Sequence, residues 1–180
     1  MAVTLDNIHE DMRFYDELKQ YVFEKELDPV IEAHNRWMVD NGLLQIESLL
    51  EIAISNVNGI KRAAVHGMDY IDGSDAKKVT SSWRNNNKIR GEWTNSFKIT
   101  NINNKRGLLR AMCFNRVLSR FQYYAIPYSA YAHLTGDSLD ITLESYRGCF
   151  NEPMPRGEGT KSKWDNYRKS SFIEMANTKA

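Results

Sequence analysis

His66-Gly67-Met68-Asp69-Tyr70-Ile71-Asp72-Gly73-Ser74-Asp75-Ala76-Lys77-Lys78-Val79-Thr80-Ser81 is the stretch at which the chain changes character. Before it, apolar residues recur at helical spacing: Tyr15, Leu18, Tyr21 and Val22, then Leu27, Val30, Ile31, His34 and Met38. After it come short runs rich in β-branched and aromatic residues, the pattern of strands. Within it, Asp75 and Lys77 are two apart, a spacing that on a strand puts a carboxylate and an ammonium on one face. Asp72-Gly73 is a turn signal, and a short hairpin across it brings Asp69 beside Asp75.

On the N-terminal side two or three amphipathic helices are expected between residue 5 and about residue 54. Asp28-Pro29 supplies an N-cap and a first-turn proline, and Asn41-Gly42 a stop before a third helix over residues 43–55. Asn58-Gly59 punctuates the chain after it. On the C-terminal side strands are expected over residues 64–71, 76–83 and 93–102. Leu109, Met112, Cys113, Arg116, Val117 and Arg120 then repeat at helical spacing, so a helix is expected over 108–121, although 110–115 would also suit a strand leading into a hairpin. Residues 122–131 and 139–144 read as two further strands about the Thr135-Gly136-Asp137 turn. Past Cys149 the chain is polar, holds Pro153, Pro155, Gly157 and Gly159, and carries Arg156, Lys161, Lys163, Arg168 and Lys169. A loop-rich basic segment, ordered against a ligand, is expected there.

A chain of 180 residues is long enough to bury a core without disulfide or metal support, and one domain is expected over 1–180: a helical layer (1–58), a catalytic core (59–148) and the basic segment (149–180). Cys113 and Cys149 are too few for a disulfide framework or a cysteine zinc site. With no signal-peptide pattern at the first residues, a reducing, cytoplasmic location is expected. No apolar run approaches the roughly 20 residues that span a bilayer, so no membrane partner is expected. The formal net charge of +1 hides a segregation: residues 1–58 carry 4 Lys/Arg against 12 Asp/Glu, and the rest 20 against 11. From Arg84 to Arg120 nine basic residues face Glu92 alone, a stretch that would attract a polyanion.

Asp69 and Asp75 together make a hard oxygen site suited to Mg²⁺, with Lys77 placed to orient a water or stabilise a phosphorane. Asp69 followed by Asp75-Ala76-Lys77 resembles the signature of the PD-(D/E)XK restriction-type nucleases, and PvuII-like restriction enzymes look nearest within it. The expected element order, a helix, three strands, a helix and a strand, is similar to that family's αβββαβ core with a mixed sheet. The resemblance covers about residues 43–144. It implies Mg²⁺-dependent hydrolysis of double-stranded DNA by a homodimer, a metal held by Asp69, Asp75 and the backbone carbonyl of Ala76, and an accessory carboxylate from the preceding helix. Glu51, one turn from Glu47, is the candidate. No proline precedes Asp69 and the gap to Asp75 is short, so Asp69 and Asp72 both stand as first ligand. His66 is a candidate base or ligand, or a packed structural histidine.

Two clusters suit groove reading: Arg84, Asn86 and Lys88, and Asn101, Asn103, Asn104, Lys105 and Arg106. Their amides can pair with adenine edges and their cations with guanine or phosphate, and both flank one expected strand. Asn-rich turns also occur simply as turns. No Gly-rich phosphate loop, zinc pattern or serine elbow occurs. The expected function is a sequence-specific restriction-type endonuclease. The alternatives are a non-catalytic DNA-binding module and a nuclease subunit acting with a partner.

Overall fold

The structure is a computed structural model that describes residues 5–64, 67–87, 90–115, 118–148 and 160–180. It opens with α1 (Leu5–Phe23), α2 (Pro29–Asp40) and α3 (Ile46–Asn58). Asp28 caps α2 by accepting from the amides of Val30 and Ile31 at 2.9 and 3.4 Å, relieving two of its orphan donors. Gly59 ends α3 in the left-handed conformation, φ +66°. Leu49, Leu50, Ala53 and Ile54 of α3 bury against Phe14, Leu18 and Val22 of α1.

There follow β1 (Asp75–Lys78), β2 (Thr80–Asn87), β3 (Arg90–Thr100), β4 (Leu109–Asn115), β5 (Arg120–Ile126), the one-turn α4 (Tyr128–Tyr131), β6 (Ser138–Gly148), β7 (Thr160–Lys161), β8 (Arg168–Lys169) and α5 (Phe172–Ala176). They form two four-stranded sheets, β1-β4-β5-β8 and β2-β3-β6-β7. β1 and β4 run parallel and the other pairs antiparallel. The fold is therefore mixed α/β with a mixed sheet and an N-terminal helical layer. The helices cover one face of the first sheet and the second sheet covers the other.

That layering explains why the helix expected over 108–121 is a strand instead. Met112 and Phe114 of β4 enter the core under the helices, while Leu109, Ala111 and Cys113 enter the core between the sheets. A strand buried on both faces reads as a continuous apolar run, and periodicity does not separate it from a buried helix. The αβββαβ order is accordingly not the order observed, since among the described residues β4 and β5 follow β3 with only the 3-10 turn Ile102–Asn104, and no α-helix, between them.

Four further expectations change. The strand expected over 122–131 ends at Ile126, and Tyr128–Tyr131 form α4. Residues 64–71 form no strand among the described residues; an isolated bridge joins Arg62 to Tyr70. The run 76–83 splits at buried Val79, whose amide donates to Met112 O at 2.9 Å, and the chain there leaves the first sheet for the second. From residue 160 the C-terminal segment is packed, with β8 extending the first sheet past β5 and Trp164, Phe172, Met175 and Ala176 buried. Residues 149–159 lie outside the described residues.

Candidate functional site

The loop from Asp69 to Ser74 is folded tightly onto β1 and β4. Gly73 takes φ +81°, and a Cβ on Gly107 would come within 1.7 Å of Gly73 O. Only glycine at 107 allows the turn to lie so close to the chain entering β4. The amide of Asp69 donates to Ser74 O at 3.2 Å and to Asp75 Oδ1 at 3.3 Å. In return Asp69 Oδ2 accepts from the amide of Ala76 at 2.7 Å, which locks its carboxylate against β1.

Asp75 opens β1, its amide bonded to Leu108 O at 2.9 Å, and is only 2 % exposed. Its Oδ2 is buried and takes part in no hydrogen bond. Two ammonium groups meet its charge: Lys77 Nζ at 3.7 Å and Lys105 Nζ in direct contact. Lys105 Nζ also donates to Gly67 O at 2.7 Å. The two-residue spacing of Asp75 and Lys77 thus places both on one side of β1.

A cleft of about 510 Å³ opens beside these groups, where β1 passes into β2 and the sheets part. Glu47 and Glu51 of α3, Asp69, Lys77 and Lys78 line it together with Ser96 and Lys98 of β3 and Asp140 of β6. Glu51 is anchored by Arg62, whose Nη2 lies 2.6 Å from its Oε2. Burial, and then the charge of Asp69, raise the Glu51 carboxyl above its ordinary range, against the pull of Arg62 and Lys77. Burial likewise raises Asp69. The Ala76 amide and the nearby lysines oppose that rise, and Asp75 adds to it.

Of Asp69 and Asp72, Asp69 is the carboxylate that lines the cleft, and its amide bonds Asp75 Oδ1. Asp72 instead accepts from Ser74 Oγ and from the Ser74 amide at 3.0 Å, and pairs with Arg110 Nη2 at 3.3 Å. Burial works against its charge, but the Ser74 bonds and Arg110 hold its carboxyl below the usual range. Arg110 belongs to the nine-residue basic stretch, yet its side chain is 0 % exposed and donates to the carbonyls of Met175 and Ala176 at 2.9 Å each. It is a strut and cannot meet a polyanion.

The two expected groove-reading clusters fall toward opposite ends of β3. Asn87 pairs with Arg90 at the start of β3, whereas Asn101 follows its end. At about 3.3 Å per residue, the length of β3 puts them roughly 30 Å apart. Lys88 and the side chains of Arg84 and Asn86 lie outside the described residues, as does His66. Asn101 adopts φ +52°, the left-handed conformation asparagine tolerates, and its amide bonds Asp137 O at 2.8 Å. Asn103 and Asn104 are exposed in the 3-10 turn Ile102–Asn104. Arg106 lies over the Tyr128 ring at 5.2 Å. Lys105, placed among the groove readers from sequence, belongs to the Asp75 cluster. Nothing in its Asn-rich surroundings signals that, because the contact depends on how β3 returns to β4.

Among the described residues no group of three or more His, Cys, Asp or Glu side chains is arranged to hold a metal ion. Adjacent Asp69 and Asp75, the latter with a buried oxygen met by the ammonium groups of Lys105 and Lys77, still fit Mg²⁺, which is commonly held by one or two carboxylates and completes its shell with waters and phosphate oxygens. The Ala76 amide is engaged by Asp69, leaving its carbonyl as the acceptor that could join them. Among the described residues no helix is long and apolar enough to cross a membrane, and Cys113 is buried, its Sγ bonded to Gln122 Oε1 at 3.7 Å. Comparison with protein-family models, curated proteins and solved structures gives no match to this chain.

Proposed function

We propose that the chain is a Mg²⁺-dependent endonuclease that hydrolyses phosphodiester bonds of double-stranded DNA, with Asp69, Asp75 and Lys77 as its catalytic core. The observation that carries this reading is that Asp69 and Lys77 line a cleft with Lys78 and Lys98, while buried Asp75 lies directly behind them, bonded to the Asp69 amide and 3.7 Å from Lys77 Nζ. Asp69 and Asp75 would hold the cation, with the Ala76 carbonyl and Glu51 as further oxygen donors. Bound there, Mg²⁺ would supply a water of lowered pKa and screen charge on the scissile phosphate. Lys77, fixed on β1, orients the attacking water and stabilises the phosphorane as charge builds on its oxygens. As hydrolysis proceeds, the new P–O bond forms to the water oxygen, which gives up a proton to solvent, the ester P–O bond breaks, and the leaving alkoxide takes a proton from solvent water. Lys78 and Lys98 attract the backbone on either side.

The resemblance to PD-(D/E)XK nucleases supports this reading at the level of the Asp69, Asp75-Ala76-Lys77 motif, and with it a sequence-specific restriction role. It also supports a homodimer, since duplex DNA presents two strands to cut. Leu27, just ahead of α2, and Val30 and Trp37 on it, 94 %, 76 % and 56 % exposed, offer apolar surface to a second copy. Light scattering of the purified chain tests the dimer. Incubation with supercoiled plasmid and Mg²⁺, with the ends sequenced, tests the activity. Cutting at defined sequences supports the restriction reading. DNA binding without cutting identifies a non-catalytic module, and cutting that appears only with a partner identifies a subunit.

A further inference from the structure

We infer that Lys105 is a resident cation of the metal site, neutralising Asp75 until a divalent ion displaces it and then facing the substrate phosphate. This rests on the metal-dependent reading of Asp69 and Asp75. Asp75 Oδ2 is buried, forms no hydrogen bond, and is touched by the ammonium of Lys105. Two carboxylates, Asp69 and Asp75, are met by two ammonium groups, Lys77 and Lys105, so the cluster is balanced without metal. A divalent ion brings two further positive charges into a space that already holds two, and one ammonium must retreat. Lys77 is held at mid-strand on β1. Lys105 reaches in from the turn after β3, its side chain 14 % exposed on a flexible four-carbon stem, and its second contact is a single carbonyl, Gly67 O. Lys105 is therefore the group that moves, and its retreat frees an ammonium beside Asp75 to meet a phosphate oxygen.

The full chain is titrated with MgCl₂ at constant ionic strength and its thermal unfolding followed, alongside Lys105→Met, which keeps the stem and removes the charge. The half-saturating Mg²⁺ concentration should fall on the order of tenfold in Lys105→Met, the effect of losing one competing cation. Lys105→Arg, which keeps the charge, should stay near the unmodified protein. Saturable binding by the unmodified chain with an unchanged midpoint in Lys105→Met would overturn the inference and leave the nuclease reading standing. No Mg²⁺ effect on either protein would remove the metal site, and this inference with it. A measurement on the unmodified protein does not depend on the variant folding. Reductive methylation of Lys105, read by peptide mass spectrometry, should rise several-fold on adding Mg²⁺. Unchanged or reduced labelling would contradict the displacement.

Discussion

Asp69 carries a cost that its place in the site explains. Its folded carboxyl is raised, first by burial, so the protonated form suits the folded state and the charged form strains it. The contribution of such a group to stability is full below the unfolded pKa and is lost as pH rises through the folded one, leaving a penalty at neutral pH. Asp69→Asn keeps an oxygen to accept from the Ala76 amide and removes the charge. Without metal at neutral pH it should unfold at a higher temperature than the unmodified chain, and the gain should vanish in acid. A lower melting temperature at neutral pH would mean that the carboxylate stabilises the loop. The pairing of Asp75 with Lys77 was legible in the sequence because a two-residue spacing has one meaning on a strand. The place of Lys105 was not, since it depends on a contact across 30 residues of chain.

Elements whose stops and starts are written in local chemistry were legible: Asp28-Pro29 opens α2 as expected, and Gly59 closes α3, which runs three residues past the end expected at 55. β4 was not, because both its faces are apolar, and neither was α5, whose five residues carry no period. α5 is held through Arg110, which links β4 to the carbonyls of Met175 and Ala176 and to Asp72. Arg110→Met would strand those acceptors together with one carboxylate and should cost about 3 kcal/mol by urea denaturation. A loss within 0.5 kcal/mol, the scale of ordinary surface changes, would contradict the strut. Gly107→Ala tests the seating of the loop from Asp69 to Ser74. Its Cβ would meet Gly73 O, and overpacking of this kind costs about 1–3 kcal/mol or more. Unchanged stability would show that the turn can move aside.

At the scale of the whole molecule, the acidic helical layer and the basic remainder are legible as counts but not as surfaces, since Arg110 is internal and Lys105 is turned to Asp75. The remaining cations should still make duplex binding salt-dependent. If about six phosphates are neutralised, affinity should fall by roughly 10³ between 50 and 200 mM salt, and a flat response would argue against a charged groove. The central claim is that Asp75 and Lys77 cut DNA with Mg²⁺, and it is tested most directly by single-turnover cleavage of plasmid by the unmodified chain, Asp75→Asn and Lys77→Ala. The unmodified protein should cut with Mg²⁺ and not with EDTA, and Ca²⁺ should support binding with little cutting. Both variants should still bind DNA and should not cut, with Mg²⁺ affinity lost in Asp75→Asn and kept in Lys77→Ala. Normal cleavage rates in both variants, or no cleavage by the unmodified chain with Mg²⁺, would contradict the account.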